Sequence, residues 1–147
     1  MTTVLISLSL FSCGLKTYYL ELLYPVDAVK EIRIVELTAR YVGLEEGYTL
    51  LKEIDIEYAA DVFKDIQSVE YKLLGPSPGT ANGTVIMIVY ESGEYEIISR
   101  SGPQQYKYSQ EDGCIRQHHS YYRCRDREEF DRMIDKWLNH AEDVGDS

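Results

Sequence analysis

Positive charge is scarce in this chain. Lys and Arg number 15 against 25 Asp and Glu, which gives a formal net charge of -10 at pH 7. Binding to nucleic-acid phosphates or to anionic membrane surfaces depends on clustered basic side chains. The charge balance therefore argues against both kinds of partner. It favours a protein partner whose contact face is basic, because opposite charges steer association.

Metal-ligating and nucleophilic residues are also few, with 3 cysteines and 3 histidines in the chain. The densest group is Cys114, His118, His119 and Cys124. Zinc sites usually bring their ligands in close pairs such as C-x2-C, and this group has no such pair. On an extended strand, His118 and His119 point to opposite faces. We therefore expect no metal, no cofactor and no catalytic residue. A small metal protein or enzyme that uses Cys114, His118 and Cys124 is one alternative.

Motifs for phosphate binding and for acid–base catalysis are missing too. The loop at residues 75–83, GPSPGTANG, lacks the G-x-x-x-x-G-K-[ST] pattern, and its two prolines have no N–H group to donate. Carboxylates are plentiful, as in KEIDIE at residues 52–57, but none forms the apolar-flanked pair that separates two pKa values. We interpret these carboxylates as solvated positions.

Strand patterns dominate what the chain does contain. Its 147 residues are 44% hydrophobic, which fits one domain with its own core. Gly93 and the Asp112-Gly113 pair predict hairpin turns, and Gly102-Pro103 predicts a break. Strands are predicted at residues 18–23, 31–37, 70–74, 84–90 and 95–99, and on both sides of Asp112-Gly113. Residues 48–56 are predicted to be a strand or the approach to a helix.

Two segments have the apolar spacing of amphipathic helices. The first spans residues 57–69, and the second begins at Asp126, with Glu129 at the spacing of a capping box. Their apolar stripes are Ala59, Val62, Phe63 and Ile66 in the first helix, and Phe130, Met133, Ile134, Trp137 and Leu138 in the second. The predicted fold class is α+β, an antiparallel meander sheet with two helices packed on one face.

The N-terminal stretch VLISLSLFSCG, residues 4–14, supports two interpretations. A short apolar run before Ser-Cys-Gly resembles the lipoprotein box of bacterial export signals, although the first three residues carry no positive charge. The same run alternates apolar residues with serine, which is typical of a half-buried strand. Residues 1–13 are therefore a lipoprotein signal or a first strand, and residues 14–147 form a single α+β domain. We favour the cell envelope narrowly, with a cytoplasmic location as the alternative.

The export interpretation has consequences for the cysteines. Cys13 would carry the lipid, and the lipid anchor would be the only membrane contact. Cys114 and Cys124 would then be the only pair left in an oxidising compartment, where disulfides persist. A disulfide between them requires a chain reversal that brings their Cα atoms within about 7 Å.

Three stretches of the chain, CGLKTYYLELLYPVDAVKEIRIVEL, VIMIVYESGEYEIIS and YYRCRDREEFDRMIDKWL, resemble a diffuse group of small bacterial α+β proteins. Some of that group are similar to lipoproteins, and others are similar to immunity proteins that neutralise a toxin domain. The shared motifs are turns, strands and a helix cap. The resemblance implies a small binding protein and carries no catalytic residue to this chain.

These observations predict a non-enzymatic protein-binding module, of immunity or inhibitor type. An envelope lipoprotein of unknown role is the other alternative. The chain has 13 tyrosines against 3 phenylalanines, and tyrosine combines apolar area with a polar tip that suits a contact surface. The candidate partner-binding residues lie around the Asp112-Gly113 hairpin and are Tyr106, Tyr108, Tyr121 and Tyr122.

Overall fold

The computed structural model describes residues 16–37, 48–73, 83–100, 102–109, 113–118 and 122–141. The strands are β1 (Val29–Leu37), β2 (Tyr48–Ile54), β3 (Tyr71–Leu73), β4 (Gly83–Tyr90), β5 (Tyr95–Ser99), β6 (Gly102–Ser109), β7 (Gly113–His118) and β8 (Tyr122–Cys124). The helices are α1 (Ala59–Ser68) and α2 (Arg127–Leu138), with short 3-10 turns at Val26–Ala28 and Ile56–Tyr58.

Six strands form one antiparallel sheet in the order β2-β1-β4-β5-β6-β7, and β3 pairs with β8 in a separate ribbon. Strands β4 to β7 follow one another as a meander. The chain leaves the sheet after β2, forms α1 and β3, and returns as β4 beside β1. The α+β prediction is confirmed, and β4, the most apolar strand of the sequence, lies inside the sheet as expected.

Both helices pack on the same face of this sheet, as predicted. Their apolar stripes join Ile32 and Ile34 of β1 and Ile86 and Ile88 of β4 in one buried cluster. A local capping signal explains where α2 begins. For α2, the Asp126 side chain accepts a hydrogen bond from the Glu128 backbone N–H at 2.9 Å, which satisfies a donor that has no partner within the helix.

The opposite face of the sheet holds a second buried apolar cluster. It contains Val35 of β1, Val85 and Met87 of β4, and Tyr95 and Ile97 of β5. Strand β4 is thus buried on both faces, which explains its nearly continuous apolar sequence rather than an alternating one.

Both predicted hairpins are present. Gly93 has a φ of 87° in the turn between β4 and β5, a backbone conformation that favours glycine. Strands β6 and β7 pair antiparallel from Ser109 opposite Gly113 onward, so Gly113 is the first residue of β7. The predicted hairpin between these strands is therefore present, but Gly113 belongs to β7 rather than to a two-residue turn, and residues 110–112 lie outside the described residues.

Two sequence predictions were wrong. Gly102-Pro103 does not interrupt the sheet, because Pro103 lies within β6 and pairs with Ile98 of β5. On its other side, the described residues of β7 pair with β6 from Gln105 onward, so no described strand requires the missing N–H group of Pro103 there. Residues 18–23 do not form a regular strand, since they pair with β3 only through the Tyr18–Tyr71 bridge.

Candidate partner-binding surface

The outer strand β2 and the turn that follows it form the most distinctive surface among the described residues. Three large apolar side chains are exposed there: Leu50 is 49% exposed, Leu51 is 43% exposed and Ile56 is 51% exposed. Carboxylates stand between and beside them. We call this surface the acidic edge, and its members are Thr49, Leu50, Leu51, Glu53, Asp55, Ile56 and Glu57, all exposed.

Local contacts hold the acidic edge in place. Ile54 is buried in the helix-side cluster and anchors the end of β2. The Asp55 side chain then accepts a hydrogen bond from the Glu57 backbone N–H at 3.1 Å, and the Asp55 carbonyl accepts one from Tyr58 N–H at 3.0 Å. These two bonds stabilise the 3-10 turn and leave the side chains of Ile56 and Glu57 in solvent.

The one lysine within β2 is directed away from this surface. The Lys52 ammonium donates hydrogen bonds to the carbonyl oxygens of His140 and of Leu138, the latter at 3.4 Å. A cation at the C-terminus of a helix is favourable because the carbonyl ends carry partial negative charge. Lys52 therefore stabilises the docking of α2, and the exposed charge of the edge is that of Glu53, Asp55 and Glu57.

A β-bulge shapes the same strand. Ile34 and Val35 of β1 lie opposite Lys52 and Leu50, so Leu51 is an extra residue in β2. The bulge leaves both Leu50 and Leu51 in solvent. Directly after it, a shallow hollow of about 380 Å³ is lined by Lys30, Glu31, Glu53, Ile54, Asp55 and Ile56.

A larger groove, of about 730 Å³, lies between residues 21–26 and α1. Its walls are mostly apolar and include Leu22, Val26 and Phe63, while Glu21 and Lys64 at its rim carry opposite charges. This groove has no preference for a charged partner, in contrast to the acidic edge.

Behind the groove, Glu96 of β5 is completely buried. Its carboxylate accepts hydrogen bonds from the Leu23 backbone N–H at 2.9 Å and from the Tyr90 hydroxyl. Burial and the adjacent Glu96 raise the pKa of Tyr90, so its hydroxyl stays a donor. This arrangement fastens residues 21–26 to the sheet, and the carboxylate has no route to solvent. We therefore assign Glu96 a structural role.

The four tyrosines predicted as contact residues do not share one element. Tyr106 and Tyr108 lie on β6 of the six-stranded sheet, opposite Arg116 and Cys114 of β7. Tyr122 begins β8, in the separate ribbon, opposite Leu73. Tyr121 lies outside the described residues. Other tyrosines belong to the core: Tyr71, Tyr90 and Tyr95 are all fully buried.

The cysteines and histidines considered for chemistry are dispersed as well. Cys114 and His118 belong to β7, while Cys13 and His119 lie outside the described residues. Cys124 ends β8, and its backbone N–H donates to the Arg100 carbonyl at 2.7 Å, next to the beginning of β6. Cys114 instead pairs with Tyr108, near the end of β6. Cys124 is a free, buried thiol, and the Cys114–Cys124 disulfide stays a prediction of the export interpretation.

We expect the Cys124 thiol to be unreactive in the folded protein. Burial raises its pKa, an effect that nearby Arg100 opposes and Asp131 reinforces, and the thiolate is the reactive form. In a protein with Cys13→Ser and Cys114→Ser, an aromatic disulfide reagent should titrate Cys124 only after unfolding. Native protein that reacts as fast as unfolded protein would show that the β8 ribbon is open to solvent.

Within the described part of the chain, no three or more His, Cys, Asp or Glu side chains are grouped as a metal site would require. None of the helices described has the length and apolar character needed to cross a membrane.

Comparisons with protein-family models, with curated proteins and with solved structures gave no match for this chain.

Proposed function

We propose that the protein is a non-enzymatic protein-binding module, of immunity or inhibitor type, and that the acidic edge is its contact surface. The observation that carries the proposal is the exposure of Leu50, Leu51 and Ile56 among carboxylates. Large apolar side chains grouped on a surface and rimmed by polar residues are typical of interaction sites.

The negative charge of the acidic edge favours a partner with a positively charged contact face. Glu53, Asp55 and Glu57 are exposed within a few residues of one another, in a protein whose net charge is -10. A partner with a basic contact face would gain from long-range attraction during encounter and from apolar burial once docked. The partner we propose is therefore a basic protein, and neither a nucleic acid nor a small substrate.

The proposal predicts the effect of reversing the charge of the edge. The partner is first isolated by covalent cross-linking in cells that make the protein, and its association rate is then measured with purified components. The triple variant Glu53→Lys, Asp55→Lys, Glu57→Lys should associate about tenfold or more slowly at low salt. The rate for the unaltered protein should fall with salt, because the screening length is about 8 Å at physiological ionic strength.

A matched control separates local charge from total charge. The variant Glu21→Lys, Glu70→Lys, Glu128→Lys makes the same change at three exposed positions outside β2 and its turn. It should associate nearly as fast as the unaltered protein. An equal loss in both triple variants would assign the effect to net charge alone. Association that is indifferent to salt and to both variants would remove the acidic edge as the contact surface.

A further inference from the structure

Strand β2 is an outer strand in the described part of the sheet. Among the described residues, β1 is the only strand that pairs with it, so no described strand lies along its other side. An outer strand presents backbone N–H and C=O groups that can pair with another chain. The same strand carries two of the three exposed apolar side chains of the acidic edge.

The bulge determines where such pairing can occur. The extra residue Leu51 interrupts the regular spacing of β2, and bulges of this kind discourage uncontrolled pairing of outer strands. From Lys52 to Ile54 the strand is regular again, with each residue directly opposite one residue of β1. This stretch leads directly to Asp55, so a short added strand would lie beside the acidic end of the edge.

Electrostatic repulsion argues against a second copy of this chain as the added strand and favours a different protein. A second copy paired antiparallel through Lys52–Ile54 would place Glu53 opposite its own counterpart, and like charges directly opposite are destabilising. Each copy also brings a net charge of -10. An extended segment with basic side chains would instead place positive charge beside Glu53 and Asp55.

We propose that the basic partner binds by adding a strand to β2, as an extended segment that presents both basic and apolar side chains on the sheet face shared by Glu53 and Leu50. The partner's backbone would pair with the outer side of Lys52–Ile54, its apolar side chains would cover Leu50 and Leu51, and its basic side chains would meet the carboxylates. This inference rests on the proposed function, which assigns the partner to the acidic edge. It adds that recognition uses the backbone as well as side-chain charge.

The experiment compares two probes that differ only in backbone hydrogen bonding. One is the short capped peptide Lys-Thr-Val-Thr-Lys, which places Lys and Val on the same strand face, and the other is the matched depsipeptide, in which ester oxygens replace the backbone N–H groups. Binding to the intact protein is followed by amide NMR, which locates the contact and gives the affinity. Loss of two net hydrogen bonds should weaken the depsipeptide about 30-fold. The amides of β2 should shift and become protected from exchange only with the amide peptide.

Each other outcome overturns strand addition. Equal binding of both probes at the acidic edge would show recognition by side-chain charge alone, which leaves the proposed function standing. Binding at the 21–26 groove or at β7, or no binding of either probe, would remove β2 as a strand acceptor. Sedimentation that shows a dimer, with the amides of β2 protected from exchange in the absence of either probe, would identify a second copy as the occupant. The charge-reversal test with the isolated partner then decides the proposed function separately.

Discussion

Replacing Trp137 by alanine should lower the free energy of unfolding by about 3 to 5 kcal/mol. Trp137 is only 2% exposed and lies on the buried stripe of α2. Its indole N–H donates to the Asp65 carboxylate of α1 at 3.0 Å, so it links the two helices. The ring also packs near Tyr58 and His140, at centroid distances of 6.3 Å and 5.0 Å. Truncation therefore leaves a cavity and removes a bond between helices.

Lys136→Ala is the matched control, because Lys136 contacts the same Asp65 carboxylate at 2.6 Å but its side chain is 56% exposed. An exposed ion pair contributes at most about 1 kcal/mol. Urea denaturation of the two variants should therefore give clearly different midpoints. A Trp137→Ala midpoint equal to that of the unaltered protein would contradict the packing of α2 against α1 and the sheet.

The second large effect should come from Glu96→Ala, which we expect to lower the free energy of unfolding by about 3 kcal/mol. Two donors would lose their acceptor, and each buried donor left without a partner costs about 1 to 3 kcal/mol. Those donors are the Leu23 N–H and the Tyr90 hydroxyl. We expect amide exchange to accelerate in residues 21–26, because the bond to Leu23 fastens that segment to β5.

Glu96→Gln tests whether the acceptor or the negative charge is responsible. The amide oxygen of glutamine can still accept from Leu23 N–H or Tyr90, so the loss should be about 1 kcal/mol. If Glu96→Ala proves as stable as the unaltered protein, the carboxylate does not hold residues 21–26 against the sheet. If Glu96→Gln is as damaging as Glu96→Ala, the charge itself matters.

Local sequence patterns were sufficient to predict the two helices and the turn between β4 and β5. The stripe of α1, from Ala59 to Ile66, was predicted residue by residue, and so was that of α2 except that Leu138 is only partly buried, because helical spacing needs only neighbours three and four residues away. The Gly93 turn was predictable for the same reason, since its positive φ is a local property.

Features that depend on strand order were not predictable. Pro103 lies within β6 at a position that no described residue of β7 faces, since the described pairing starts at Gln105, and the sequence does not show where a neighbouring strand will end. The carboxylates at 53, 55 and 57 were interpreted as ordinary solvated positions. They form part of a surface because β2 is the outer strand and contains a bulge, and both facts come from pairing with β1.

The burial of polar side chains was the other feature that could not be predicted from the sequence. A glutamate in YEIIS is expected to face water, yet Glu96 is buried because its donors come from Tyr90 and from Leu23, which is 73 residues away in the chain. Tyrosine abundance suggested a contact surface. The structure places two other tyrosines, Tyr71 and Tyr90, in the core, where their hydroxyls donate to the Ser99 carbonyl and to Glu96.

Hydrogen exchange of the isolated complex is the most direct measurement of the central claim, which is that the acidic edge binds a basic protein. The account predicts slower exchange on binding in residues 48–58, with little change around β3, β8 and the beginning of α2. Protection confined to the groove at residues 21–26, or to β7, with unchanged exchange in residues 48–58, would contradict it.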